Sequence, residues 1–229
     1  MRKLILFVLV LSSLLLFNTT LAQSIGPRLG INMAKIVGGA EIEDEFEEGV
    51  SYRAGLQFGL TAEFPITDLI SFQPELLYVQ KGYSLDEEFF GQEVKVDAVL
   101  NYFELPLLAK ININKGPTQF FVNIGPSFSY GLDGKVTSSF GGFEEEIDAD
   151  FSDDEVNRID FNGVLGLGVQ FEAGQGKVFL DGRYVHDFTD FTSASEDSPD
   201  EPVYNRNFGF AVGYLYSFQQ TNKEEVVDK

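Results

Sequence analysis

The sequence predicts an all-β protein, an eight-stranded antiparallel up-and-down barrel that crosses a membrane. Three observations carry that expectation. Long segments alternate between apolar and polar residues, and successive side chains of a strand point to opposite faces. The connections between them alternate between long and acidic and short, the pattern of outer-membrane barrels. A leader with the layout of a secretory signal precedes them all. The clearest stretch is 101–132, NYFELPLLAKININKGPTQFFVNIGPSFSYGL. In its second half Phe120, Val122, Ile124, Pro126, Phe128, Tyr130 and Leu132 share one face. Gln119, Asn123, Gly125, Ser127, Ser129 and Gly131 share the other, with Phe121 the one large exception. Soluble strands usually run to about five or six residues, and this one is far longer.

In chain order, residues 1–22 carry Arg2 and Lys3, an apolar run over 4–17 and the ending Thr20-Leu21-Ala22. That is a signal peptide cleaved after Ala22. The run is short for a membrane-spanning helix, which needs about 20 residues. The barrel is expected over 23–219 and a charged periplasmic tail over 220–229. Eight strands are marked at 24–37, 51–65, 69–83, 96–111, 118–132, 158–173, 177–190 and 204–219. In the second, Tyr52, Ala54, Leu56, Phe58, Leu60, Ala62 and Phe64 oppose Arg53, Gly55, Gln57, Gly59, Thr61 and Glu63. The sixth and eighth repeat this design, and the seventh is the weakest. In the fourth, Phe103, Leu105, Leu107 and Ala109 face lipid if Glu104 and Lys110 face in, leaving Tyr102 and Leu108 inside. Pro27, Pro74, Pro106 and Pro126 each remove a ladder donor, so bulges are expected there. Short turns follow the second, fourth and sixth strands. An even strand number then puts both termini on one side, the periplasm.

Volume assigns the faces. The apolar faces together carry several dozen side chains, whereas the core of an eight-stranded enzyme barrel takes about twelve. They must point outward, which disfavours a soluble lipocalin-like carrier. The lumen then receives Gly and Ser among Arg28, Arg53, Glu63, Glu75, Lys81, Glu104, Lys110, Asp160, Glu172, Asp181, Arg183 and Asp187. Both signs are present, so a paired, closed polar core is expected, with a selective pore as the alternative. Aromatics sort by strand end. Tyr52, Tyr78, Tyr130 and Tyr204 lie near the long connections, and Phe64, Phe120, Phe171 and Phe218 near the short turns or the C-terminal end. Two headgroup-level girdles have this form.

Composition narrows the function. Net charge is −20, which repels phosphate and excludes nucleic acid as a partner. Segments 38–50, 84–95, 133–157 and 191–204 hold 23 of the 36 acids and only Lys95 and Lys135 as bases. The acidity therefore belongs to the long connections, read as solvated loops. With no cysteine, disulfides, thiolate chemistry and a lipidated N-terminal cysteine are absent.

The motifs FQPELLYVQKG (72–82), NYFELPLLAK (101–110) and NIGPSFSYG (123–131) resemble the PorT-type outer-membrane β-barrel proteins of Bacteroidota. IGPRLGINMAKI (25–36) and FGFAVGYLYSF (208–218) are similar to that family's first and last strands. The resemblance covers essentially the whole mature chain and implies an eight-stranded barrel of OmpA/OmpX type in the outer membrane. It implies no catalytic or ligand residues. The tail after Phe218 departs from barrels that end on the terminal aromatic.

Candidate chemistry is sparse. His186-Asp187, with Asp190, suggests a histidine base oriented by a carboxylate. Neighbouring strand residues point to opposite faces, however, so Asp187 is badly placed to orient His186. No catalytic or cofactor-binding residue is assigned, and no cofactor. Asp148, Asp150, Asp153, Asp154 and Glu155 form the densest acidic cluster. Such oxygens suit Ca²⁺, but the calcium-hand spacing is missing, and a solvated segment is the plainer reading. Divalent cations there could bridge loops to each other or to anionic glycolipid. The expected function is a non-enzymatic outer-membrane anchor that presents acidic segments to the surface or to other envelope proteins. A narrow cation-preferring channel is the alternative. The expected surroundings are outer-membrane lipid.

Overall fold

The computed structural model describes residues 24–38, 50–89, 92–141, 143–149, 158–189 and 203–218. Within them the strands are β1 (Ser24–Gly38), β2 (Val50–Pro65), β3 (Ile70–Phe89), β4 (Gln92–Asn112) and β5 (Thr118–Phe140). They continue with β6 (Phe143–Ala149), β7 (Ile159–Ala173), β8 (Gly176–Asp187) and β9 (Val203–Ser217). There is no helix among the described residues. Neighbours pair antiparallel in the order β4-β3-β2-β1-β9-β8-β7-β5-β6, and an additional β4–β5 ladder closes the ring. β6 pairs only with β5, outside that ring. Eight strands therefore form the barrel, and its wall leaves no open edge.

The faces fall as their alternation requires. Leu29, Ile31, Leu56, Phe58, Leu60, Phe120, Ile124, Leu165, Leu167, Leu180 and Phe210 are exposed on the outside. Arg28, Asn32, Thr61, Glu75, Lys81, Lys110, Asn123, Asn162 and Asp187 are buried inside. Tyr102 and Leu108 are both 0% exposed and Phe103 is 49% exposed, so β4 takes the parity that its Glu104 and Lys110 demand. The inversion has a plain cause. A ring of eight strands is too narrow for the bulky set, while hydrocarbon costs those side chains nothing.

One end of the barrel carries the chain ends of β1 and β9 and three compact turns. In the β2–β3 turn the backbone amides of Leu69 and Ile70 donate to Thr67 Oγ1 at 3.2 and 3.0 Å. In the β4–β5 turn Asn114 accepts from the Phe120 amide and donates to the Thr118 carbonyl, both at 2.7 Å. The β7–β8 turn places Gly174 at φ +61°, where a side chain would be strained.

Several expectations are corrected. The prolines carry no bulge: Pro27, Pro74, Pro106 and Pro126 sit in ladders whose register is the same on either side. A missing N–H drops single pairings without inserting a residue, so the register survives. The irregularities lie elsewhere, between Tyr52 and Gln57 in the β2–β3 ladder and between Asn101 and Tyr102 in the β4–β5 ladder. At the second, Asn101 faces Asp133 and Tyr102 faces Gly131, so Leu132 is the extra residue. Much of two acidic "loops" is strand. β3 and β4 run on to Phe89 and Gln92, and β5 and β6 form a hairpin over 134–149. Glu172 is exposed at the turn end rather than buried in the lumen, and Arg53 is only half-buried. The weak seventh segment is a regular β8, paired on both sides. The leader, the tail after 218, and Asp150, Asp153, Asp154, Glu155 and Asp190 lie outside the described residues.

Candidate functional site

The lumen concentrates the chain's buried polar chemistry in three stacked layers. Nearest the short turns, Lys110 Nζ of β4 lies 2.7 Å from Glu63 Oε2 and donates to Gln170 Oε1 at 2.6 Å. Ser71 donates to Glu63 at 3.1 Å, and Gln170 donates to Gln119 at 2.5 Å. The Phe121 ring centroid lies 4.5 Å from the same ammonium. Phe121, Phe179 and Leu215 form a buried apolar cluster. Phe121, the exception to its strand's alternation, is thus an interior plug.

The middle layer is a quartet. Arg183 of β8 grips Glu75 of β3 through two N–O contacts of 2.6 and 2.8 Å and also donates to Asp181 at 2.8 Å. Arg28 of β1 donates to Asp181 at 2.6 Å and stands 4.0 Å from Glu75. Thr61 and Gln73 complete Glu75 with donations of 2.6 and 2.7 Å. All four ionic side chains are buried. Buried charges are tolerable when paired and hydrogen-bonded, and here two cations meet two carboxylates.

The third layer is nearest the long connections and is acid-rich. Lys81 Nζ lies 2.9 Å from Glu104 and 3.5 Å from Asp187, and 5.0 Å from the Tyr102 ring centroid. Asp160 is buried in the same neighbourhood, and Asn162 accepts from the Ser129 hydroxyl at 2.7 Å and donates to Asp187 at 2.8 Å. Between this layer and the quartet lies a cavity of about 20 Å³, lined by Asn32, Gln57, Glu104, Arg183, Asn207 and apolar neighbours. That is room for about one water.

The histidine reading fails on geometry. His186 is on the outer face, its ring 5.1 Å from Phe188 and 6.3 Å from Tyr184, with Nδ1 3.4 Å from the Tyr184 hydroxyl. Asp187, the next residue, is buried on the lumen side beside Lys81. Among the described residues no group of three or more His, Cys, Asp or Glu side chains is placed to hold a metal ion. Asp148 of the acidic cluster is exposed on β6, with Lys135 as its ladder partner.

Parity indicated which charges enter the lumen, but not who pairs with whom. Arg53 reaches Asp97 at 2.9 Å at the rim instead of joining a layer. Tyr102, Asn162, Gln170 and Ser129 join the layers without having been singled out as site residues. Their lumen parity was the available signal.

A profile of the outer membrane protein β-barrel domain matches residues 21–193. A search of curated protein sequences returned no match. Among solved structures, the chain is similar to Ail, the attachment invasion locus protein of Yersinia pestis. Identity there is 15%, with 86% of this chain and all of that one covered, and the TM-score is 0.40. It is similar to OprG from Pseudomonas aeruginosa at 13% identity, covering 87% of this chain and 98% of that one, TM-score 0.48. It is also similar to the outer membrane protease OmpT from Escherichia coli at 11% identity, covering 86% and 97%, TM-score 0.46.

Proposed function

The chain belongs to the outer membrane protein β-barrel domain family, and on that premise we propose that it is a non-enzymatic anchor holding an acidic β-sheet platform outside the cell. The finer kinship with PorT-type barrels rests on the motifs quoted above. The observation that carries the reading is the filled lumen. Among the described residues three ionic layers and the aromatic plug occupy the lumen, which supports placing the chemistry on offer at the end bearing the long connections. That end faces outward in this reading, with both termini in the periplasm.

The platform is the continuation of β3, β4 and β5 beyond the apolar band, with β6 added at its edge. Its hydrophobic pattern inverts relative to the barrel below. Leu85, Val94, Val96, Val136, Phe140, Phe143 and Ile147 continue the lumen-facing side. Ser84, Asp86, Lys95, Asp97, Lys135, Thr137, Glu144, Glu146 and Asp148 form the other. Phe143 is 84% exposed, and the outer edge of β6 has no ladder partner among the described residues. Such an edge is a template for another strand. An envelope or surface protein offering an extended segment fits it, and divalent cations could bridge the acidic face to a like-charged neighbour.

Planar-bilayer recording of the folded protein tests the reading. Silence is expected. A steady cation-selective current would overturn it in favour of a narrow channel, for which the acid-rich third layer is the supporting feature. Protease added to whole cells should cut within the platform segments and spare the termini.

A further inference from the structure

The ladder register assembles a row of bases that the sequence scatters. Lys35 of β1 is the direct partner of Arg206 of β9, and Arg206 is the direct partner of His186 of β8. All three have the lipid-facing parity of their strands, shared with Ile31, Phe208 and Leu180. One step toward the barrel's middle, the same faces carry only apolar or aromatic side chains, Met33, Phe208 and Tyr184. Beyond it come Val37, Tyr204 and Phe188, so the row interrupts the apolar face near the long-connection end, at the level of the aromatic girdle. Tyr52, whose ring centroid lies 5.2 Å from Lys35 Nζ, and Tyr204, 6.4 Å from the His186 ring, flank it as girdle residues do.

Like charges directly opposite one another in a ladder are destabilising. No carboxylate bridges Lys35 or Arg206 among the described residues. The lumen cations, by contrast, are each matched to an acid. We infer that Lys35, Arg206 and His186 bind the phosphate of a membrane lipid whose headgroup is net anionic. A guanidinium fork beside an ammonium suits a phosphate, and basic residues at a membrane surface bind anionic lipid. A soluble anion would have to approach through the field of a chain of net charge −20, whereas a lipid arrives sideways within the leaflet. With the orientation proposed above, that leaflet is the outer one. Phosphate binding itself needs only the membrane-spanning barrel, so it stands or falls independently of bilayer conductance.

The test uses the full mature chain in uncharged maltoside micelles, doped separately with phosphatidic acid, phosphatidylcholine or inorganic phosphate. Phosphatidic acid is expected to raise the melting temperature, and the other two to leave it unchanged. The double variant Lys35→Ala/Arg206→Ala should weaken phosphatidic acid binding by about tenfold or more. Without the lipid it should melt no lower than the parent, because a like-charge contact has been removed. If the alanine variant does not fold, Lys35→Gln/Arg206→Gln is read in the same way. Lys115→Ala, which removes a base at the opposite end, should keep the full response. An undiminished shift in either double variant, or an equal shift with phosphatidylcholine or inorganic phosphate, would overturn the inference.

Discussion

Arg183 of β8 reaches across the width of the lumen to Glu75 of β3, the strand diametrically opposite in the eight-membered ring, with N–O distances of 2.6 and 2.8 Å. The pair spans 108 residues of sequence. It ties opposite walls together at mid-height, where hairpin ladders alone cannot. Its two parallel contacts fix orientation as well as distance.

Removing one partner strands the other in a dry interior. Arg183→Ala is expected to cost about 3–5 kcal/mol, measured by urea unfolding of the barrel in lipid vesicles. Arg183→Met combined with Glu75→Leu should recover most of that loss, because neither charge is then buried alone. Arg28 and Asp181 would still satisfy each other at 2.6 Å. Equal losses in the single and double variants would count against a pair that braces the walls.

Two interior aromatics lie across glycines of the neighbouring strand. A Cβ at Gly168 would stand 2.2 Å from the Phe121 ring, and one at Gly213 would stand 2.2 Å from the Phe179 ring. Gly168→Ala and Gly213→Ala should each destabilise by about 1–3 kcal/mol, the usual cost of overpacking. Gly182, on the outer face, is the control. Its added Cβ would meet only the Phe210 ring at 3.4 Å, so Gly182→Ala should unfold at the parental urea concentration.

A surface pair joins two of the short turns, with Lys115 Nζ 2.7 Å from Asp68 Oδ2. The hydrogen bond from Lys115, and then its charge, hold the Asp68 carboxyl below its ordinary value. A carboxyl depressed in the folded state favours folding above its unfolded pKa, and that contribution is lost as pH falls through the folded value. Both groups are exposed, so the effect is local. Lys115→Ala should raise the Asp68 titration midpoint in NMR toward the ordinary carboxylate value while leaving the melting temperature unchanged.

Much of this architecture is legible in the chain because a period of two needs no knowledge of partners. Leu165, Leu167 and Phe171 declare one face of β7, and Asp160, Asn162 and Gln170 the other, whatever strand lies alongside. Partnership is different. That Glu75 meets Arg183, or Lys35 meets Arg206, depends on ring closure and register, which no local pattern encodes. The Leu132 insertion was hidden for a related reason. One extra residue leaves composition untouched while shifting the inward set of β5 from odd to even numbers. In 143–149 the density of acid masked an alternation that is present, Phe143, Glu145 and Ile147 against Glu144, Glu146 and Asp148. The prolines misled in the opposite direction, since a lost donor need not bend the ladder.

That acidic hairpin gives the last prediction. β6 is held by a single ladder to β5, in which Ile147 faces Val136 and Phe143 faces Phe140. Proline at an edge position removes a donor and disfavours further pairing. Ile147→Pro should therefore abolish hydrogen-exchange protection over 143–149 and for the amides of 134–140 that point to β6, while those bonded to β4 stay protected. The melting temperature of the barrel should not change, because the closed ring does not include β6. Any partner that adds its strand to this edge should be lost in the same variant, whereas Glu145→Gln, which keeps the backbone donors, should retain it. Loss of barrel stability in Ile147→Pro would mean that the hairpin supports the ring, and that the platform is not separable from the anchor.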